Sequence, residues 1–177
     1  MIQNFISNLV HQGLLAYKYY YPPQNHNFNH IDLNLWLGSL PYNEKCFKRL
    51  KERRINYIFS IMTEEEIKNI DFDKDFEQIL IPILDCDGPK IEQFEEAVDK
   101  IMDLQENYPD KNIYIHCFYG KGRSSSVAVA YLIKKYGISL DKAIERVKYS
   151  NPITHINYKQ YISLQNFEKH IINSKHQ

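Results

Sequence analysis

A cysteine, two glycines and an arginine fall within one short stretch of this chain, Cys117-Phe118-Tyr119-Gly120-Lys121-Gly122-Arg123. Before it runs "IYIH", apolar and β-branched; after it runs "SSSVAVAYLIKKYG". The pattern predicts a strand, a tight turn and a helix beginning near Arg123 or Ser124. The first turn of a helix leaves backbone N–H groups unpaired, and the helix dipole makes that end an anion site. Gly120 and Gly122 permit the dihedrals by which successive amides point inward as a nest. The dipoles that attract phosphate also favour a thiolate, so Cys117 reads as a nucleophile. Arg123 can fold back over the turn and offer its planar fork to two phosphate oxygens. A Walker-type loop is excluded, because the glycines are too close together and Arg123, not lysine, follows Gly122. A cysteine-protease reading leaves the arginine without a role.

The segment "HCFYGKGRS" carries the H-C-x5-R-[ST] signature and resembles the protein tyrosine phosphatase superfamily. The resemblance implies a covalent phosphocysteine mechanism without metal or cofactor. It implies that Arg123 binds the phosphoryl group, that Ser124 hydrogen-bonds the Cys117 sulfur and assists its departure, and that His116 fixes the loop from behind. It further implies an aspartic acid on the loop before the long helix. Here that loop is "PILDCDGP", which holds Asp85 and Asp87. Pro82-Ile83-Leu84-Asp85 fits the P-x-x-D spacing of the dual-specificity branch, so Asp85 is preferred and Asp87 is the alternative. A carboxylic acid of ordinary pKa is mostly ionised at neutral pH, so the reaction needs either a raised pKa or a mildly acidic optimum. The likeness to dual-specificity domains extends over residues 28–173, through "NHIDLNLWLGSLP", "AVAYLIKKYGISLDKAIERVK" and "KQYISLQNFEKHI". The chain is too short for the tyrosine-recognition segment of the larger enzymes, which implies a permissive pocket. Lys121 within "GKGR" resembles the loop of phosphoinositide phosphatases, although Phe118 stands where their second lysine would be. The lead-in "IDLNLWLGSLP" resembles that of phosphatidylglycerophosphate phosphatases. Substrates are therefore expected to be phosphorylated proteins (phosphotyrosine and phosphoserine/threonine), with phospholipid or a non-catalytic phosphate-binding module as alternatives.

The elements that must position these residues follow from periodicity. "HIDLNLWLGSL" predicts two short strands punctuated by Gly38; Ser39 and Pro41 read as the start of a helix through "NEKCFKRLKERR". Residues 55–62 and 77–84 read as buried strands. Thr63 and Glu66 in "TEEEI" form a capping box rather than a metal site. Pro89 suits the first position of a helix with an apolar stripe of Ile91, Phe94, Ala97, Val98, Ile101 and Leu104. Amphipathic helices follow at 139–151, after an N-cap serine, and at 158–172. Alternating strands and helices predict an α/β fold: one domain with a central, mostly parallel sheet of about five strands and helices on both faces. An N-terminal helix and linker precede it over residues 1–27.

In that N-terminal segment Ile2, Phe5, Ile6 and Leu9 share one helix face. Polar residues interrupt the run and no basic segment precedes it, so neither a signal peptide nor a membrane span is expected. A helix packed on the domain is the first reading; membrane-surface contact through residues 1–20 is the alternative. Net charge is zero, with 22 basic and 22 acidic residues, which argues against nucleic acid as a partner. Cys46, Cys86 and Cys117 have no disulfide or zinc spacing, so a reducing, cytoplasmic compartment is expected. Cys86 reads as a structural thiol, with a reversible disulfide to Cys117 as the other possibility.

Overall fold

In the computed structural model, residues 26–174 are described; all but the last two residues of the helix and linker expected over residues 1–27, and the membrane contact through residues 1–20, lie outside these residues. Five strands form one sheet in the order β1-β2-β5-β3-β4. They are β1 (Phe28–Asp32), β2 (Leu35–Ser39), β3 (Ile55–Ser60), β4 (Glu77–Leu80) and β5 (Asn112–Cys117). β1 and β2 form the antiparallel hairpin; β2, β5, β3 and β4 run parallel. The sheet is therefore mixed and mostly parallel. Among the described residues there are six helices: α1 (Glu44–Glu52), α2 (Glu64–Ile67) and α3 (Ile91–Asn107) connect strands, and α4 (Arg123–Tyr136), α5 (Leu140–Ser150) and α6 (Tyr158–Ser174) follow β5.

β5 is the central strand, and Ile113, Tyr114, Ile115 and His116 are each 0% exposed. Phe72 lies against His116, and Phe47 of α1 lies against Phe72 and Phe76, so α1 and the segment before β4 cover one face. α4 is buried from Arg123 through Ile133. That burial explains why its sequence is apolar almost all round: α3, α5 and α6 pack on it while it packs on β5 and β2.

Several expected boundaries move. α1 does not begin at Ser39 or Pro41. Ser39 is the last residue of β2, paired with Cys117, and Asn43 caps the helix by accepting from the Cys46 N–H at 3.0 Å. The helix ends before Arg53, and Arg54 takes φ 51. β3 stops at Ser60, not Met62, and β4 stops at Leu80, not Leu84. Ile81 still donates to Ser60 O at 3.0 Å, but Pro82 has no N–H with which to continue. Pro89 precedes α3, which Lys90 caps with Gln93 at N3. Gly38 lies inside β2; the hairpin turns at Leu33-Asn34. Gly137 ends α4 with φ 62, a left-handed closure that glycine adopts without strain.

Candidate active site

The parallel pairing of β3 and β5 brings their C-terminal ends together, so the loops that follow them meet at one crevice. The loop after β5 has its carbonyls turned outward. Phe118 O accepts from Leu40 N at 3.1 Å, Lys121 O from His155 N at 2.9 Å and Gly122 O from Ser126 N at 2.8 Å. Gly120 O accepts from Asn151 Nδ2 at 2.9 Å. With the carbonyls spent outward, the amides of Gly120, Lys121, Gly122 and Arg123 donate to no group among the described residues. Those four amides are thereby available to the inward nest that the glycines are expected to build. Gly120 has φ 70, and a Cβ there would come within 2.5 Å of the Gly38 carbonyl. Both features require glycine. Gly120→Ala should therefore distort the loop; we expect a loss of about 2 kcal/mol or more in urea unfolding, accompanied by weaker binding of inorganic phosphate.

Arg123 is 1% exposed and enters the crevice from the start of α4. Its Nη1 donates to Glu66 Oε2 at 2.6 Å and its Nη2 to Glu66 Oε1 at 3.0 Å. Nη1 also donates to Ile83 O at 3.1 Å. A guanidinium has five N–H bonds in a fixed fork. Three are thus committed, and the Nε–H and the second Nη2–H remain along one edge. Nε is buried without a hydrogen-bond partner and lies 3.4 Å from Asp85 Oδ1. The remaining edge is the bidentate face that a phosphoryl group fits. Burial opposes the charge of Arg123, but the Glu66 hydrogen bonds and the charges of Cys117, Glu66 and Asp85 outweigh it and raise its pKa.

Ser124 Oγ donates to Cys117 Sγ at 3.3 Å, and both residues are buried. His116 lies behind the loop. Its Nε2 is 2.9 Å from Ser60 Oγ, its Nδ1 is 3.2 Å from Cys117 O, and its ring stacks on Tyr114. Burial lowers its pKa to about 3, against the hydrogen bond to Cys117 O, which raises it; His26, also desolvated, falls to about 4. His116 is therefore neutral in the folded chain while its unfolded counterpart protonates near 6.5. Between those values the unfolded state binds the extra proton, so stability falls as pH falls. The slope from His116 approaches ~1.4 kcal/mol per pH unit below pH 6. Urea titrations at pH 7, 6 and 5 should show it, and His116→Asn should flatten the slope by one proton; identical slopes would count against it.

Asp85, Cys86, Cys117, Phe118, Tyr119, Lys121, Gly122, Arg123, His155, Asn157 and Gln160 line a cleft of about 370 Å³. Asp85 is on the wall beside Arg123. Asp87 is not among the lining residues and pairs with Lys159 at 3.2 Å. Phe118 is largely buried against the core while still lining the cleft, and Lys121 is exposed with its Nζ 5.8 Å from the Tyr119 ring centre. Cys86 is exposed and lies on the same cleft.

Three contributions were not anticipated from the sequence. Glu66 reads correctly as a cap, since its Oε2 accepts from Thr63 N at 3.0 Å, but the same carboxylate also holds Arg123. Asn151 reads only as a helix end, yet it ties Gly120 O to Asn29 of β1. Asn157 and Gln160 form a reciprocal capping box at the start of α6: Gln160 N donates to Asn157 Oδ1 at 2.9 Å and Asn157 N to Gln160 Oε1 at 3.1 Å. The N-x-x-Q spacing of "NYKQ" is the signal that would have located it.

The sequence over residues 35–170 matches the family described as dual specificity phosphatase, catalytic domain. The chain belongs to that family. It is a cysteine-based phosphatase, a hydrolase of the tyrosine/dual-specificity class. Dual specificity protein phosphatase 1 of Arabidopsis thaliana is 30% identical to this phosphatase over 140 residues, covering 78% of the chain and 68% of that protein. Protein-tyrosine-phosphatase IBR5 of the same plant is 40% identical over 90 residues, 50% of this chain and 34% of its own length. The chain thus spans only about a third of that relative. The human phosphatidylglycerophosphatase and protein-tyrosine phosphatase 1 is 22% identical over 151 residues, 81% of this chain and 74% of that protein. In fold, the phosphatase resembles the crystal structure of PTPMT1 in complex with PI(5)P, with a TM-score of 0.75 at 23% identity, covering 84% of this chain and 99% of that one.

Proposed function

We propose that this phosphatase is a dual specificity protein phosphatase that hydrolyses phosphotyrosine and phosphoserine/threonine through a phosphocysteine at Cys117. The observation that carries the reading is the convergence on one cleft of the Cys117 sulfur, the Nε/Nη2 edge of Arg123 and the Asp85 carboxyl, whose Oδ1 lies 3.4 Å from that Nε. In the first step Cys117 Sγ attacks phosphorus as the bond to the leaving oxygen breaks, and Asp85 gives that oxygen its proton. The loop amides and the Nε/Nη2 edge of Arg123 hold the three non-bridging oxygens. In the second step water attacks phosphorus, Asp85 takes its proton, and the thiolate leaves with the Ser124 hydroxyl donating to it.

A phospholipid substrate is the second reading. It is favoured by Lys121, exposed at the rim, where a cation suits a second phosphate. The named activity of the human phosphatidylglycerophosphatase relative points the same way. The test is phosphate release from phosphotyrosine and phosphothreonine peptides, phosphatidylglycerophosphate and phosphoinositides. The reading expects peptide turnover to dominate; turnover confined to lipids would replace it. In the same assay Asp85→Ala should lower the rate on phosphothreonine peptide by about 10²-fold or more, while Asp87→Ala costs little. The reverse order would transfer the acid role to Asp87.

A further inference from the structure

The loop that carries Asp85 is held from outside. Cys86 sits at φ 60, a left-handed conformation that a non-glycine residue keeps only when its surroundings impose it. In that conformation the Cys86 N–H donates to Asp85 Oδ1 at 3.0 Å, which ties the carboxylate to the peptide following it. The other end of the Cys86 residue is fixed by Asn157, whose Nδ2 donates to Cys86 O at 3.2 Å. Two further contacts come from the first turns of α6. Asp87 pairs with Lys159, but those side chains are 48% and 68% exposed, so the pair contributes little. Gly88 packs so closely that a Cβ there would lie 2.6 Å from Lys159 O and 2.3 Å from Ser163 Oγ.

Asn157 is itself immobilised. Its Oδ1 is committed to the Gln160 N–H, and the Gln160 side chain accepts from the Asn157 N–H. The Gln160 amide in turn abuts the phosphate loop, where a Cβ on Gly122 would come within 2.9 Å of its Nε2. One side chain therefore divides its two ends: the oxygen caps α6, and the nitrogen holds the carbonyl of Cys86, the residue whose own N–H orients Asp85. We propose that Asn157 is a positioning residue for the proton-transfer step, placing the Asp85 carboxyl beside Arg123 through the Cys86 carbonyl. The inference rests on Asp85 being the acid.

Asn157→Asp separates the two ends. It keeps an acceptor for the cap, at a helix N-terminus where a carboxylate is favoured, and it turns the donor facing Cys86 O into an acceptor. Asn157→Ser, which keeps a cap but lacks the reach, serves as the second variant. The measurement is kcat/KM for a series of phosphomonoesters, from 4-nitrophenyl phosphate through phenyl phosphate to phosphothreonine peptide. The loss in Asn157→Asp should grow with the pKa of the leaving group, reaching about tenfold on the peptide. Asp85→Ala should show the same trend more steeply, and adding Asn157→Asp to it should change nothing beyond about twofold. A loss of equal size on every substrate, no loss on any, or a further drop in the double variant would overturn the proposal. A flat profile for Asp85→Ala itself would instead remove the acid assignment and the inference with it.

Discussion

Replacing Cys117 by serine should reduce phosphate release to background, a fall of about 10⁴-fold or more on any substrate. The geometry makes the demand on this atom specific. Ser124 Oγ donates to Cys117 Sγ, and the amides of Gly120 to Arg123 donate to nothing else among the described residues. Those dipoles favour the anionic oxygens of a phosphoryl group. A serine hydroxyl is far less readily ionised, so the same nest cannot make it a comparable nucleophile. The swap is nearly isosteric, so the variant should keep its unfolding midpoint and still bind inorganic phosphate. Equal turnover by wild type and variant would end the phosphocysteine mechanism.

The second large effect is expected at Glu66, which is no part of the signature. Glu66→Ala should cost about 3–5 kcal/mol in urea unfolding, because it takes from a buried guanidinium the carboxylate that accepts two of its three hydrogen bonds and leaves only Asp85, 3.4 Å from Nε, as a neighbouring carboxylate. Both side chains of the pair are 1% exposed, so solvent cannot substitute. It should also lower kcat/KM by about 10²-fold. Arg123 would keep the Ile83 carbonyl alone of its three bonds, and the Nε/Nη2 edge would no longer be aimed. The capping box loses its acceptor as well, but a cap accounts for only about 1 kcal/mol. A loss no larger than a cap, with turnover intact, would show that Arg123 is held adequately without Glu66. Glu66→Gln is the milder comparison: it keeps an acceptor for Thr63 N and removes the charge.

How much of this was legible beforehand differs from residue to residue. Cys117, Gly120, Gly122, Arg123 and Ser124 lie within eight consecutive positions. A strand ending and a helix beginning around them leave the chain few ways to arrange them, so local sequence was enough. Asp85 was narrower: P-x-x-D spacing preferred it, and Asp87 stayed open because two aspartates one residue apart satisfy the same local rules. The left-handed Cys86 between them sends Asp85 to the cleft and Asp87 to Lys159.

Glu66, Asn151, Asn157 and Gln160 show the limit. Each is a helix-end residue whose local role, cap or terminus, accounts for it completely when the chain is read in one dimension. Their second partners lie far along the chain: Arg123 is 57 residues from Glu66, and Cys86 is 71 from Asn157. No periodicity or motif encodes such pairs, because they are created by strand order. β5 sits between β2 and β3, so the loops after β3 and β5 share one end of the sheet, and α6 closes that end after the chain has passed through α4 and α5. The sequence alone pointed to the phosphatase class and to the proposed site, a phosphate nest, a sulfur nucleophile and an arginine, because all of these are local. The tertiary structure decided which carboxylate aims the arginine and which aspartate faces the cleft, because a carboxylate serves a buried cation only where packing brings the two within hydrogen-bond reach and excludes water from between them.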